Sequence, residues 1–289
     1  MNRNTGKTGI GLLLPFILVL TFLSPHASAE HATQKADQTG SATVFTFSIV
    51  PQQTASKLAK LWTPILQYLT DKTGYLLQFK TAKNIPTFEQ RLAAGEYDFA
   101  YMNPYHYTVF HQSPGYEALA KARNKRIKGI VVVKKDSPFT SLEQLQGHDL
   151  AFPSPAAFAA SILTQSEFHR RGIDINPKYV SSHDSVYRNV ALGRMSAGGG
   201  VVRTLKNVAP EVSEQLKVLW TTAGYTPHAI AVHPRIEQDV VQRIRQAIVN
   251  MEQDPQGTAL LDSIEIQGFE TAQNADWDDV RSLGIKLLK

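Results

Sequence analysis

The chain has 289 residues, 43% of them hydrophobic and 19% charged, with a formal net charge of +5. This composition excludes a disordered or collagen-like chain, and so small a positive excess gives no reason to expect nucleic acid. With no cysteine, a disulfide scaffold, a thiolate metal site, a thiol nucleophile and a lipid-modified cysteine are all excluded.

The first residues read as an export signal. Arg3 and Lys7 precede a nearly continuous apolar run from Ile10 to Leu23, and Ala27-Ser28-Ala29 supplies the small-x-small pattern that signal peptidase accepts. The run is shorter than the ~20 residues needed to span a bilayer, so cleavage after Ala29 is expected rather than an anchor. Residues 1–29 are therefore expected to be a signal peptide, and the mature protein free in the periplasm and not membrane-embedded. Glu30 to Ala42 is polar, has no apolar period, and is expected to be a flexible lead-in.

Beyond it the chain alternates strand and helix. Val44 to Val50 is a β-rich alternating run stopped by Pro51. Leu58, Leu61, Trp62, Ile65, Leu66 and Leu69 recur at helical spacing, and Gly74 ends the helix. A strand is expected over Tyr75–Thr81, a short helix over Pro86–Ala94 and a third strand over Tyr97–Tyr101. Asn103-Pro104 then opens a helix through Phe110. Such a rhythm predicts parallel βαβ units.

Ile127 to Val133 lacks polar alternation and is expected to be a buried strand. The rhythm then restarts: a turn at Leu142–Leu145, a strand at Asp149–Phe152, a helix at Ala156–Arg171, a strand at Lys178–Ser181 and a helix at Asp184–Leu192. Strands follow around Ala197–Val202, at Lys217–Thr222 and at His228–His233. Helices are expected at Ile236–Met251 and Trp277–Leu288.

The tail has too few strands to close a domain, so it is expected to return and complete the first block. The predicted division is lobe 1 from residues 43–130 plus 224–289 and lobe 2 from 131–223, with crossings near Lys128–Lys134 and Thr221–Pro227. Two lobes joined by two strands make a hinge, and a small ligand would sit between them.

The strand end Val50-Pro51-Gln52, the segment Tyr97-Asp98-Phe99-Ala100-Tyr101-Met102-Asn103-Pro104-Tyr105 and the segment Ser182-His183-Asp184-Ser185-Val186 carry a resemblance. From about Thr43 onward the chain resembles the periplasmic substrate-binding proteins of phosphonate, phosphite and phosphate ABC transporters. The resemblance implies an α/β, two-lobed type II periplasmic-binding fold, with two Rossmann-like lobes joined by two crossover strands. It also implies a small-molecule oxyanion ligand and an inner-membrane ABC permease as partner.

Phe152 to Ser161 lies between a strand and a helix, so the first amides of that helix face the inter-lobe cleft. They lack partners within the helix and carry partial positive charge, which makes an anion site without a charged side chain. The resemblance implies a Ser-Thr-Ser-Gly turn here. Ala157, Phe158, Ala159 and Ala160 stand at the matching positions, so the amides survive and the hydroxyls do not, unless Ser154 or Ser161 substitutes. The alternative is a serine N-cap followed by an alanine-rich core helix.

Tyr101, Asn103 and Tyr105 follow the third strand, at the carboxyl edge where open α/β sheets bind ligands. They can donate hydrogen bonds to an oxyanion or cover an organic substituent, or else be core contacts. His183 opens a helix after a strand and can donate to an oxyanion; a helix cap facing water is the alternative. Gln52 and Gln53 could add amide donors from the opposing lobe, and His228 stands at the second crossing.

Gly198-Gly199-Gly200 marks a close approach of backbone or ligand. The resemblance implies an acid just before this point, where Ser196-Ala197 stands, so a ligand without an ammonium group is expected. No nucleophile-elbow, Ser-x-x-Lys, His-Glu-x-x-His or Walker motif is present, so no catalysis is expected. No metal or organic cofactor is implied, and a monomer is expected. Two other readings remain open: a sensory ligand-binding protein partnering a histidine kinase, and a binder of a different, larger organic ligand.

Overall fold

The computed structural model describes residues 43–288. The export signal, its cleavage site and the lead-in lie outside the described residues.

Strand β1 (Val44–Ile49) leads into helix α1 (Ala55–Thr73), which buries the Leu58, Trp62, Ile65, Leu66, Leu69 stripe. Gly74 terminates that helix with φ +77, and its amide donates to the Thr70 carbonyl; this left-handed cap favours glycine. Next come β2 (Leu76–Lys80), α2 (Ile85–Ala93) and β3 (Phe99–Met102). The short helix α3 (Pro104–Phe110) follows at once, its first turn capped by Asn103 Oδ1, which accepts from the His106 amide at 2.8 Å. β4 (Glu117–Ala122) is a strand the sequence reading does not anticipate.

The second run comprises β5 (Ile130–Lys134), β6 (Asp149–Phe152), α4 (Thr164–Arg170), β7 (Asn176–Tyr179), α5 (His183–Ala191), β8 (Ala197–Gly200), α6 (Val202–Lys206), α7 (Pro210–Ser213) and β9 (Leu216–Thr221). The tail contributes β10 (Ala229–Val232), α8 (Gln238–Val249), α9 (Pro255–Ser263), β11 (Phe269–Thr271) and α10 (Asp278–Arg281).

These strands form two sheets. The six-stranded sheet has the order β11-β4-β10-β3-β1-β2, and the five-stranded sheet β7-β6-β8-β5-β9. Parallel pairing joins β2, β1 and β3 in the first and β7, β6 and β8 in the second, as strand–helix alternation requires. Strands flanking the passages between sheets run antiparallel: β10 lies between β3 and β4, and β5 between β8 and β9.

The two passages are zipped together. Ile127 and Tyr225 exchange both backbone hydrogen bonds, and Gly129 and Thr222 exchange two more, one through the Thr222 hydroxyl.

Several expected boundaries move. The helix expected over Ala156–Arg171 is α4 preceded by a wider, π-helical turn over Phe158–Leu163, in which the Ile162 amide donates to Ala157. The carbonyls of Ala159 and Ala160 press against Gly129 and Gly199, where a Cβ would lie 2.0 and 1.9 Å away. The glycine run of β8 is thus a close approach of backbone. The strand expected at Lys178–Ser181 begins earlier, at Asn176, and stops at Tyr179, ahead of Ser181 with its φ of +74. The long terminal helix shrinks to α10, with Gly284 at φ +61 just beyond it.

Candidate ligand-binding cleft

The carboxyl ends of β1 and β3 point at the amino-terminal turn that follows β6, so the two sheets face each other across a cleft. The cleft is shut. Asn103 Nδ2 donates to the Ala156 carbonyl at 3.1 Å, and Arg203 Nη2 donates to Gln52 Oε1 at 2.7 Å; each bond joins residues of opposite sheets. Gln52 Nε2 in turn lies 3.1 Å from His228 Nε2, and Tyr101 stacks on the His228 ring at 4.9 Å.

Two adjoining cavities result. The smaller has room for about one water, ≈ 10 Å³, among Gln52, Asn103, the 157–160 turn, His183 and His228. The larger, ≈ 180 Å³, is walled by Gln52, Tyr101, Arg203, His228 and the Ala122–Lys128 passage. Gln52, Ile127, Val201 and His228 border both.

The turn after β6 is built to leave its amides free. Ala157 has an extended conformation (φ −69, ψ 95), so the helix starts only after it. The amides of Phe158, Ala159 and Ala160 have no hydrogen-bond acceptor among the described residues, and all three residues are buried. Such a concave run of unpaired N–H groups at the start of a helical segment attracts negative oxygen. The Phe158 ring is fixed edge-on against Tyr225 of the second passage, at 5.8 Å.

His183 is the first residue of α5, which Ser182 caps by accepting from the Ser185 amide at 3.1 Å. Its Nδ1 lies 3.3 Å from Thr204 Oγ1. Burial, reinforced by nearby Arg203, pushes the His183 ring down to about 3. The same two causes hold His228 well below its ordinary value. Both imidazoles are therefore neutral at physiological pH, each offering one donor and one acceptor. The Tyr101 hydroxyl is raised by burial and stays protonated.

Of the residues singled out from the sequence, Gln52, Tyr101, Asn103, Ala157, Phe158, Ala159, His183 and His228 line one cavity or the other. Gln53 and Ser154 are buried but line neither, and Gln53 Nε2 and Ser154 Oγ have no protein partner. Tyr105, expected at the cleft, lies apart from it. It is two residues beyond Asn103, and its hydroxyl accepts from the Leu287 and Leu288 amides at 2.8 Å each, tying down the C-terminal segment.

Arg203 and Lys125 were not foreseen from the sequence, whereas Ser161 was named there as a substitute hydroxyl. The first follows the carboxyl end of β8, an edge where a cation could have been sought. The last is wholly buried, its Oγ without a protein partner, one residue beyond the unpaired amides.

Two mixed α/β sheets joined by two passages, with buried donors converging in the gap, define a two-lobed solute-binding protein of the type II periplasmic fold. The sequence model of the family described as "ABC transporter, phosphonate, periplasmic substrate-binding protein" matches residues 47–277, and the chain belongs to that family. It is 21% identical to the phosphate-import protein PhnD of Mycolicibacterium smegmatis, over 92% of this chain and 88% of that protein. A binding-protein component of an ABC phosphonate transporter from Pseudomonas aeruginosa superposes with a TM-score of 0.78 at 16% identity, covering 84% and 86% of the two chains. PhnD1 from Prochlorococcus marinus, solved with methylphosphonate, gives 0.77 at 16% identity over 84% and 97%. The protein is accordingly a transport component, not an enzyme, with a small-molecule ligand and an ABC permease as its partners. Among the described residues no helix is long and apolar enough to cross a membrane.

Proposed function

We propose that the protein captures a small phosphorus oxyanion, a phosphonate, phosphite or phosphate, between its lobes and delivers it to the inner-membrane permease as a monomer. The observation that carries this reading is the set of unpaired amides at Phe158–Ala160, facing Gln52, Asn103, His183 and His228 in a shared buried cavity. The hydroxyls of a Ser-Thr-Ser turn are absent, so the grip rests on backbone N–H groups and the neutral rings. Arg203 stands behind Gln52 and contributes formal positive charge through it.

Ligand bonded by both lobes at once stabilises the closed state, and the permease reads that state. A micromolar ligand requires about 8 kcal/mol in total. A few hydrogen bonds to a charged group, each worth about 1.5–3 kcal/mol, supply much of it. No carboxylate lines either cavity, and Ser196, where an acid would have served an ammonium group, instead bonds His148 Nδ1 at 2.9 Å. Both facts support a ligand without an amine.

Residues 1–29 act as a cleaved signal peptide and 30–42 as a lead-in. The lobes divide as 43–130 plus 224–289 and 131–223, and the mature protein acts in the periplasm. A thermal-shift series with phosphate, phosphite, methylphosphonate, sulfate and acetate tests the reading. A phosphorus oxyanion should give the largest rise in Tm; stabilisation only by sulfate or acetate would overturn it.

A further inference from the structure

The larger cavity is more than a small oxyanion needs, and its charge is one-sided. Its wall carries Lys125, Arg126, Lys128 and Arg203, with no Asp or Glu. Arg126 is spoken for, since its Nη2 bonds Asp279 Oδ2 at 2.7 Å and the Gly224 carbonyl at 3.0 Å. Arg203 has no carboxylate in contact among the described residues; its guanidinium donates to the Gln52 amide oxygen. Lys125 donates to the backbone carbonyl of Glu265, whose carboxylate is taken by Asn207 Nδ2 at 3.0 Å.

Two part-buried cations thus face one cavity and lack a balancing acid in its wall. Lys125 feels that crowding: its ammonium is pushed below its ordinary value first by burial and then by Arg203, and the more distant Glu265 carboxylate offsets this only in part. The remaining wall, Tyr101, Ile127, Val201, Pro227 and Ile266, is apolar or aromatic and suits a short carbon chain. The cavity adjoins the amide-lined one across Gln52 and His228.

We infer that the natural ligand is bifunctional, a phosphonate or phosphate ester whose second anionic group, a carboxylate or another phosphate, sits between Lys125 and Arg203 in the larger cavity. This rests on the phosphorus-oxyanion reading above and narrows its substrate class. The phosphorus end takes the free amides of the 158–160 turn, for which the lobes must part enough to widen the smaller cavity beyond its ≈ 10 Å³, and the linker passes Gln52 and His228. The apolar wall covers the linker, and the second anion meets two cations that have no carboxylate in direct contact.

The test is isothermal titration of the purified protein with methylphosphonate, phosphonoacetate, 3-phosphonopropionate and 2-aminoethylphosphonate, repeated on Lys125→Gln. One of the two phosphonocarboxylates is expected to bind the native protein about tenfold or more tighter than methylphosphonate. In K125Q that preference should shrink to about threefold or less, and rising salt should erode it in the native protein. Methylphosphonate binding as tightly as both phosphonocarboxylates, or a preference for 2-aminoethylphosphonate, would overturn the bifunctional ligand while leaving the phosphorus-oxyanion reading intact. Binding of none of the four would overturn the bifunctional ligand, and failure of phosphate and phosphite as well would overturn the phosphorus-oxyanion reading with it. The comparison among ligands on the native protein stands even if the variant fails to fold.

Discussion

Arg203 Nη2 donates to Gln52 Oε1 at 2.7 Å, and this bond links α6, which follows the five-stranded sheet, to the loop that leaves β1 of the six-stranded sheet. Because the amide oxygen of Gln52 is held this way, its Nε2 is turned toward His228, where it donates to the neutral ring. One guanidinium therefore orients two groups of the cleft. Arg203→Gln removes the charge and the bond together. A charged hydrogen bond of about 1.5–3 kcal/mol implies that methylphosphonate affinity falls about tenfold or more. Isothermal titration measures this, and native affinity in R203Q would remove Arg203 and Gln52 from the site.

His183 makes stability depend on pH, and the sign follows from which state binds the proton. The unfolded ring protonates as pH falls through about 6.5, while the buried ring resists until about 3. Below pH 6.5 the unfolded state therefore holds more protons, and stability is lost as pH falls. At pH 5 the loss from this ring is about 2 kcal/mol relative to pH 7. Urea unfolding at the two pH values should show it, and His183→Asn should flatten that part of the slope.

Gly199 is the tightest point of the second lobe. A Cβ there would stand 1.9 Å from the Ala160 carbonyl and 2.7 Å from the Phe152 ring. Backbone on one side and a buried ring on the other leave little room to yield. Gly199→Ala should cost about 1–3 kcal/mol by overpacking and displace the turn whose amides face the cleft. Denaturant midpoints and ligand titration should both fall; an unchanged affinity would mean that the turn is not part of the grip.

Tyr105 separates cleft from scaffold. Tyr105→Phe removes the acceptor of both the Leu287 and Leu288 amides and should cost about 1–3 kcal/mol, the usual worth of two neutral hydrogen bonds. Phosphonate affinity should be unaffected, and amide exchange over the last residues should quicken. A loss of affinity in Y105F with exchange unchanged would return this residue to the site.

What the sequence announced was what local pattern controls. The alternation of β1 and the Leu58–Leu69 stripe of α1 each follow from residue spacing, and both elements form as read. β4 escaped because Glu117–Ala122 reads Glu-Ala-Leu-Ala-Lys-Ala, a run of helix formers. Pairing on both sides, with β10 and β11, overrides that propensity. The π-helical turn escaped for a related reason. Its widening depends on Gly129 and Gly199 pressing on carbonyls 30 and 39 residues away in sequence. Within the cleft, residues at strand ends and helix starts were legible because topology places such positions at the sheet edge. Arg203 and Lys125 were not, since only the closed three-dimensional arrangement shows that they share a cavity wall without a carboxylate.

In the proposed grip, negative oxygen is held by peptide hydrogens at the start of the helical segment after β6. The most direct measurement is a proton–nitrogen NMR titration of the labelled protein with methylphosphonate, following the Phe158, Ala159 and Ala160 amides. These three signals should move strongly downfield in proportion to bound ligand, more than any other backbone amide outside the two passages. Saturation by methylphosphonate with these three signals unmoved would show that these amides do not hold the ligand.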